Sequence, residues 1–233
     1  MRVAIISDIH SNLPALEAVL ARIESLNVNA IHCLGDIVGY GPFPNECVEL
    51  VRIRCTHVIK GNHDSGLIGE TPIDDFNRFG QEAIRWTTRK ITHSHLEYLR
   101  QLPSRIVENI FTLVHASPIN PEQWSYVMSN LQARECFRAF ETELCFIGHT
   151  HVPVIVGEDG TVGTFRTGIR HLINVGSVGQ PRDGNPQAAF GLLDTDIPSY
   201  VLERASYEIQ VTVKAIENAG LPRFLGQRLI QGM

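Results

Sequence analysis

Short apolar runs alternate with longer stretches of helical period through the first quarter of the chain. RVAIIS (2–7) reads as a strand buried on both faces, because it is continuously apolar and bounded by polar residues. NLPALEAVLARIESL (12–26) places Leu13, Leu16, Val19, Leu20 and Ile23 on one helical stripe, with Asn12 in position to cap it. AIHCLG (30–35) predicts a second strand, FPNECVELVRIR (43–54) a second helix with Pro44 in its first turn, and CTHVIKG (55–61) a third strand. Strand–helix–strand–helix–strand with short links predicts βαβ units and a largely parallel sheet.

Residues 66–109 change character. DDFNRFGQEAIRWTTRKI and SHLEYLRQLP predict two helices on an excursion from the sheet. Strands are expected again over NIFTLV (109–114) and LCFIG (144–148), with a helix over SNLQARECFRAFE (129–141) between them. Beyond that, PVIVGEDGTVGTFRTG, HLINVGS and AAFGLLDTD carry the Asp-Gly and Gly punctuation of hairpins. SYEIQVTVK (206–214) alternates like a strand, and an amphipathic helical tail over about 211–233 follows. With no repeat or linker, the expected organisation is a single domain over 1–233.

Composition narrows the classes. The chain of 233 residues is 43% hydrophobic and 19% charged, so it can bury a sizeable core. No run approaches the roughly 18 apolar residues of a membrane helix. MRVAIISDIHSN passes from apolar residues straight into charge, with no signal-peptide pattern, and predicts a cytoplasmic protein. The five cysteines fall at no repeated spacing and include no CxxC, which fits reduced thiols rather than a disulfide framework. The net charge of −5, without a run of Lys and Arg, argues against a partner gripped by its nucleic-acid backbone. If the protein handles phosphate, metal ions would supply the positive field.

Chemistry-bearing residues sit at the strand ends. The first predicted strand ends in Asp8 and His10, the second in Asp36, the third in Asn62, His63 and Asp64. Asp8, Asp36 and Asn62 recur at intervals of about 30 residues, one βαβ unit. Two later strands end in His115 and in His149 with His151. In an open α/β sheet, ligands bind beyond the carboxyl ends of the strands, so these groups should meet. Asp8 with His10, and His149 with His151, are two apart and would point to one side of an extended strand end. GNHDSG alone reads more readily as a polar turn than as part of a site, because these residues favour turns for their own backbone reasons. Two carboxylates, four imidazoles and one amide are too many for one tetrahedral ion and suit two divalent transition-metal ions, an arrangement used for phosphoester hydrolysis. Asp36 is the natural bridge, because a carboxylate has two oxygens to share.

The pattern D8-I-H10, G35-D36, G61-N62-H63-D64, H115 and G148-H149-T150-H151 resembles the calcineurin-like metallophosphoesterase family, and NVGSVGQPRDG (174–184) resembles its bacterial and archaeal phosphodiesterase branch. The resemblance implies a four-layer αββα sandwich, with two mixed β-sheets flanked by helices. It implies that Asp8, His10 and His151 hold one metal, that Asn62, His115 and His149 hold the other, and that Asp36 bridges. His63 would stabilise or protonate the leaving group, with Asp64 orienting its ring. Manganese is the first expectation for the ions in assay, with iron, zinc or nickel as the others.

Arg182 could reach a substrate phosphate, and Tyr40 and Asn12 could line the pocket. His93, His95, His32, His57 and His171 read as surface or packing residues, and Trp86 as part of a core stripe. The expected activity is hydrolysis of phosphodiester or phosphoanhydride bonds in small nucleotide-type substrates, for example dinucleoside polyphosphates. The alternatives are a protein serine/threonine phosphatase or phosphomonoesterase and, from another class, a non-catalytic scaffold of the same fold. The apolar tail FLGQRLIQGM offers a surface for a homo-oligomer.

Overall fold

The first strand, β1 (Arg2–Ile6), sends Val3 and Ile5 to one side and Ala4 and Ile6 to the other, and all four are fully buried. A strand with two apolar faces needs cover on both, and that need sets the layers. The computed structural model describes residues 1–233. After β1 come α1 (Leu13–Ser25), β2 (Ala30–Cys33), α2 (Pro44–Arg54), β3 (His57–Val58), α3 (Asn62–Leu67), α4 (Arg78–Thr88) and α5 (His93–Gln101). The second half runs β4 (Arg105–Val107), β5 (Phe111–Val114), α6 (Asn130–Cys136), β6 (Leu144–Ile147), β7 (Val154–Gly157) and β8 (His171–Asn174). β9 (Ala188–Asp194), β10 (Ser199–Ala205), α7 (Ile209–Asn218) and α8 (Arg223–Gln231) complete it.

Two five-stranded mixed sheets result, in the orders β10-β9-β1-β2-β3 and β4-β5-β6-β8-β7. β1, β2 and β3 are parallel, as are β5, β6 and β8; β9 is antiparallel to both β1 and β10, β4 to β5, and β7 to β8. Val3, Ile5, Phe111, Leu113, Leu144 and Phe146 pack between the sheets. Ala4 and Ile6 face the other way, onto Leu16, Val19 and Leu20 of α1 and Val48 of α2. On the far side, Val114, Cys145 and Ile147 meet Ala133 and Cys136 of α6. This is the αββα sandwich. Each fully buried Val, Leu or Ile contributes roughly 1.5–3 kcal/mol, so the layers hold the strand ends firmly.

The local readings hold at α1, where the Asn12 side chain caps, and at α2, where Pro44 begins the helix. Three differ. GNHD is the first turn of a helix, α3, rather than a loop turn. The excursion contains a short strand, β4, besides its helices. Residues 206–214 are not a strand: SYVLERA just before them takes the sheet edge as β10, and α7 begins at Ile209. Helical spacing there buries Thr212 and Ile216 and leaves Val211 exposed, whereas strand alternation would put Ile209, Val211 and Val213 on one buried face. No helix is long and apolar enough to cross a membrane.

His32 of β2 is paired in register with His57, and its ring lies 4.7 Å from the His57 ring and 5.2 Å from Phe111. Burial, reinforced by His57, lowers its pKa to about 4, and its Nδ1 is buried without a partner. The unfolded chain, with a value near 6.5, therefore takes up a proton that the folded chain refuses. Stability should fall as pH drops from 6.5 towards 4, by up to about 3 kcal/mol from this residue. Urea unfolding at pH 7.5 and pH 5 checks it: His32→Phe, which keeps the ring packing, should lose less on acidification than the parent. Equal losses would show that His32 does not titrate on unfolding.

Candidate metal centre

Every candidate ligand leaves the carboxyl end of a strand at one edge of the sandwich. Asp8 and His10 follow β1, Asp36 follows β2, Asn62 to Asp64 open α3 after β3, His115 follows β5, and His149 and His151 follow β6. Except for Asn62, all are almost fully buried. Three overlapping groups of ligand atoms lie within 4.8 Å of one another: Asp8 with His10 and His151, His10 with Asp36 and His63, and Asp36 with His115 and His149. Asn62 Oδ1 lies 3.2 Å from His115 Nε2.

The expected reason for the two-residue spacing does not hold. Asp8, His10, His149 and His151 are not on extended strand ends; their φ values are 54°, 50°, 66° and 62°, and Asp36 is at 51°. Left-handed backbone is unfavourable for side chains other than glycine, by about 1 kcal/mol or more each. Hydrogen bonds between loops hold it there. The amide of Asp8 donates to Gly35 O (3.0 Å), that of His10 to Asp36 O (2.9 Å), and that of His149 to Asp8 Oδ2 (2.9 Å). Two glycines make the approach of the loops feasible. A Cβ at Gly61 would strike the Asp36 carboxylate, and one at Gly148 would strike Ser7 and Asp8.

The imidazoles are oriented by backbone carbonyls. His10 Nδ1 faces Val38 O (3.1 Å), His115 Nδ1 faces Leu34 O (2.8 Å), and His151 Nδ1 faces Gln180 O (2.5 Å). A carbonyl only accepts, so each Nδ1 carries a proton, and each ring when neutral turns its Nε2 lone pair to the centre. His10 Nε2 and His151 Nε2 face each other at 3.1 Å, and both approach Asp8 Oδ1, at 3.8 and 3.2 Å. Asp8 Oδ1 and His149 Nε2 are buried with no hydrogen-bond partner. Buried polar atoms are rarely left so, and a cation would satisfy them. The donor set and its orphaned atoms fit a metal centre.

Charge points the same way. Burial alone would raise the Asp8 and Asp36 carboxyls, but the facing imidazoles outweigh it, His151 foremost for Asp8 and His115 for Asp36, and hold both well below the usual range. Burial lowers His10 strongly, His149 to about 3 with help from His115, and His151 with help from Arg182. His115 alone is raised, to about 9, because Asp36 and Asp8 overcome its burial. The centre is thus two ionised carboxylates among mostly neutral imidazoles, an anionic interior that calls for positive charge.

His63 is buried in an aromatic wedge. Its ring centroid lies 4.5 Å from Tyr40, 4.9 Å from His10 and 5.0 Å from Phe76, and its Nδ1 has no partner. Burial lowers it to about 4 against the pull of Asp36. The expectation that Asp64 orients this ring is not met. The Asp64 carboxylate accepts from the amides of Gly61 (3.0 Å), Ile37 (3.0 Å) and Val38 (3.1 Å), so it ties the Asp36 loop to the first turn of α3. Burial and the Asp36 charge push its carboxyl up to about 7 against those amides. Packing, not a carboxylate, sets the His63 ring.

The secondary candidates divide. Tyr40 is buried on His10 and His63, backed by Ile216 of α7 and by Leu225 and Leu229 of α8, so the apolar tail turns these residues inward. Arg182 is half-buried, its guanidinium on Gln180 Oε1 (2.8 Å) and its amide on His151 O (3.3 Å). Asn12 is spent on structure: its Nδ2 donates to Gly179 O and Tyr207 Oη, and its Oδ1 accepts from Thr212 Oγ1 and Ala15 N, leaving nothing for a substrate. Three residues have no role assigned by the sequence, although Asn174 opens the NVGSVGQPRDG segment. Asn174 donates from Nδ2 to Gly148 O (2.6 Å) and so positions the His149 loop. Tyr126 stacks on His149 with centroids 4.0 Å apart, and Trp124 stands edge-on to His115 at 5.9 Å.

Comparison with known proteins agrees with this geometry. The chain is 42% identical to the uncharacterized protein MJ0912 of Methanocaldococcus jannaschii, over 99% of this chain and 98% of that one. It is 26% identical to the phosphodiesterase YfcE of Escherichia coli, over 86% of this chain and 91% of YfcE. The crystal structure of a metallophosphoesterase from Sphaerobacter thermophilus superimposes with a TM-score of 0.90 at 42% identity, covering 100% of this chain and 99% of that one. A profile described as the calcineurin-like phosphoesterase superfamily domain matches residues 1–197, ahead of α7 and α8. The chain belongs to the calcineurin-like phosphoesterase superfamily.

Proposed function

We propose that this metallophosphoesterase is a binuclear hydrolase of phosphodiester or phosphoanhydride bonds in small nucleotide-type substrates, dinucleoside polyphosphates among them. The observation that carries the reading is the convergence of Asp8, His10, Asp36, His115, His149 and His151 with Asn62 at one buried edge. Seven donors exceed what one tetrahedral ion takes and suit two. Asp8, His10 and His151 would hold one ion, Asn62, His115 and His149 the other, and Asp36 both. Two divalent ions of manganese, iron, zinc or nickel, when bound, supply Lewis acidity towards phosphoryl oxygen and a nucleophile from water at neutral pH. The name of the Escherichia coli relative, a phosphodiesterase, supports the ester class.

The chain's own chemistry at the reacting end falls to His63. It is buried against Tyr40 and Phe76 and has ring capacity to spare, since its Nδ1 is unpartnered. We assign it a hydrogen bond or proton to the departing oxygen. Arg182 would meet a phosphate oxygen, and Tyr40 would shield the ring from water. Turnover of a phosphomonoester, a phosphodiester and a dinucleoside polyphosphate, side by side with Mn²⁺, tests the class. Preference for the monoester or for a phosphoprotein would move the assignment to a phosphatase, and no turnover of any would leave the scaffold reading.

Asp36→Asn should remove metal and turnover together. Its carboxylate offsets the repulsion of two cations at close range, so the loss should exceed the roughly 10–100-fold typical of an outer-shell partner. Elemental analysis beside kcat checks it; full metal content with most activity kept would show that Asp36 is no bridge. His63→Ala should keep its metal and lose about 10²–10⁴-fold in kcat on a natural nucleotide diester. The loss should be smaller on a nitrophenyl ester, whose leaving group departs with little help. Equal losses on the two would assign His63 to electrostatic stabilisation of the phosphoryl group rather than to proton donation.

A further inference from the structure

A cleft of about 250 Å³ opens on the metal centre, with Asn62, His63 and His149 in its floor. Two loops from opposite halves of the sandwich wall it. One carries Asp75 and Phe76, the other Gln123, Trp124 and Tyr126. We infer that this cleft seats the base of a nucleotide, stacked on Tyr126 beside Trp124, while the phosphate attached to it reaches the metal centre; this rests on the phosphoesterase reading above.

Tyr126 is the platform. Its ring lies nearly parallel to the His149 imidazole, at 23°, yet the residue is 49% exposed and lines the cleft. An aromatic ring held flat by a candidate ligand imidazole and half exposed at the cleft is a ready stacking site, and every base has a π-face to offer. Trp124 is fixed as the neighbouring wall. Its φ of +52° is left-handed, rare for so bulky a residue, and Asn120 in the same loop is at +49°. The indole N–H donates to Thr71 Oγ1 (2.9 Å), and that hydroxyl donates to Ser65 Oγ (2.8 Å), so the two loops are stapled across the site. Backbone strain kept by cross-links of this kind is a mark of a functional segment, and the rigidity lowers the ordering penalty of binding.

The rim selects against other occupants. Asp75 and Gln123 offer acceptors for the exocyclic amine of a base, and a carboxylate at the rim disfavours a phosphate seated in place of the base. The volume lies just under the roughly 300 Å³ at the low end of ligand pockets, enough for one base with its sugar and not for a polynucleotide. The net charge of −5 agrees.

Two esters with the same leaving group test the inference: adenosine 5′-(p-nitrophenyl) phosphate and methyl p-nitrophenyl phosphate, hydrolysed by the manganese-loaded protein. The adenosine ester should be favoured about tenfold or more in kcat/KM, as expected for one stacked base. Tyr126→Leu should bring the ratio near unity, and Tyr126→Phe should restore it. AMP should bind more tightly than ribose 5-phosphate by a similar factor, and Tyr126→Leu should abolish that difference too. Equal kcat/KM for the two esters, or a ratio unmoved by Tyr126→Leu, would overturn the base-binding cleft while leaving the phosphodiesterase reading intact. If neither ester is hydrolysed, the phosphodiesterase reading fails, and equal binding of AMP and ribose 5-phosphate would then overturn the cleft as well.

Discussion

Two carboxylates, Asp8 and Asp36, stand almost fully buried a few ångströms from each other's imidazole partners, and the rest of the structure is arranged around their charge. An ionised carboxylate in the interior is expensive unless positive charge or donors face it. Imidazole Nε2 atoms face Asp8 Oδ1 and Asp36 Oδ2, while amides of His149 and His63 hold the other oxygens. Because backbone carbonyls hold the opposite nitrogen of His10 and His151, whose pKa values are lowered, these imidazoles offer lone pairs rather than protons. Such an interior is stable as a cation site and poorly stable as anything else.

That demand explains the local irregularity. Left-handed residues, close glycines and loop-to-loop hydrogen bonds gather where the ligands converge, and the regular core lies below them. The sandwich supplies rigidity: Val3 and Ile5 lock against the second sheet while Ala4 and Ile6 lock against the helices, so the loop after β1 leaves from a fixed point. The same holds for β5 and β6. Asp64, far from being a bystander, transmits that rigidity by joining Ile37 and Val38 to Gly61.

The convergence of the candidate ligands was legible because each sits in a short motif after an apolar run, and βαβ spacing brings such motifs to one edge. What escaped was non-local. Asp64 spends its carboxylate on backbone amides, which have no signature in a sequence, so its neighbour His63 looked like its partner. Asn12 reads as a polar residue near the site, yet Thr212 and Tyr207, some two hundred positions away, consume its hydrogen bonds. Ile209 to Val213 alternate as a strand would, and only the occupied sheet edge and the buried Thr212 make them a helix. Trp124 and Tyr126 lie in a segment with no period at all, and their place beside His115 and His149 comes from the fold alone.

The central claim is that this buried, anionic edge exists to hold two divalent ions with Asp36 between them. Anomalous diffraction at the metal edge, on protein loaded with manganese and checked for metal content, tests it most directly. The account predicts two peaks per chain roughly 3.5–4 Å apart, with Asp36 in contact with both. A single peak in fully loaded protein, with Asp36 bound to that ion alone, would contradict it.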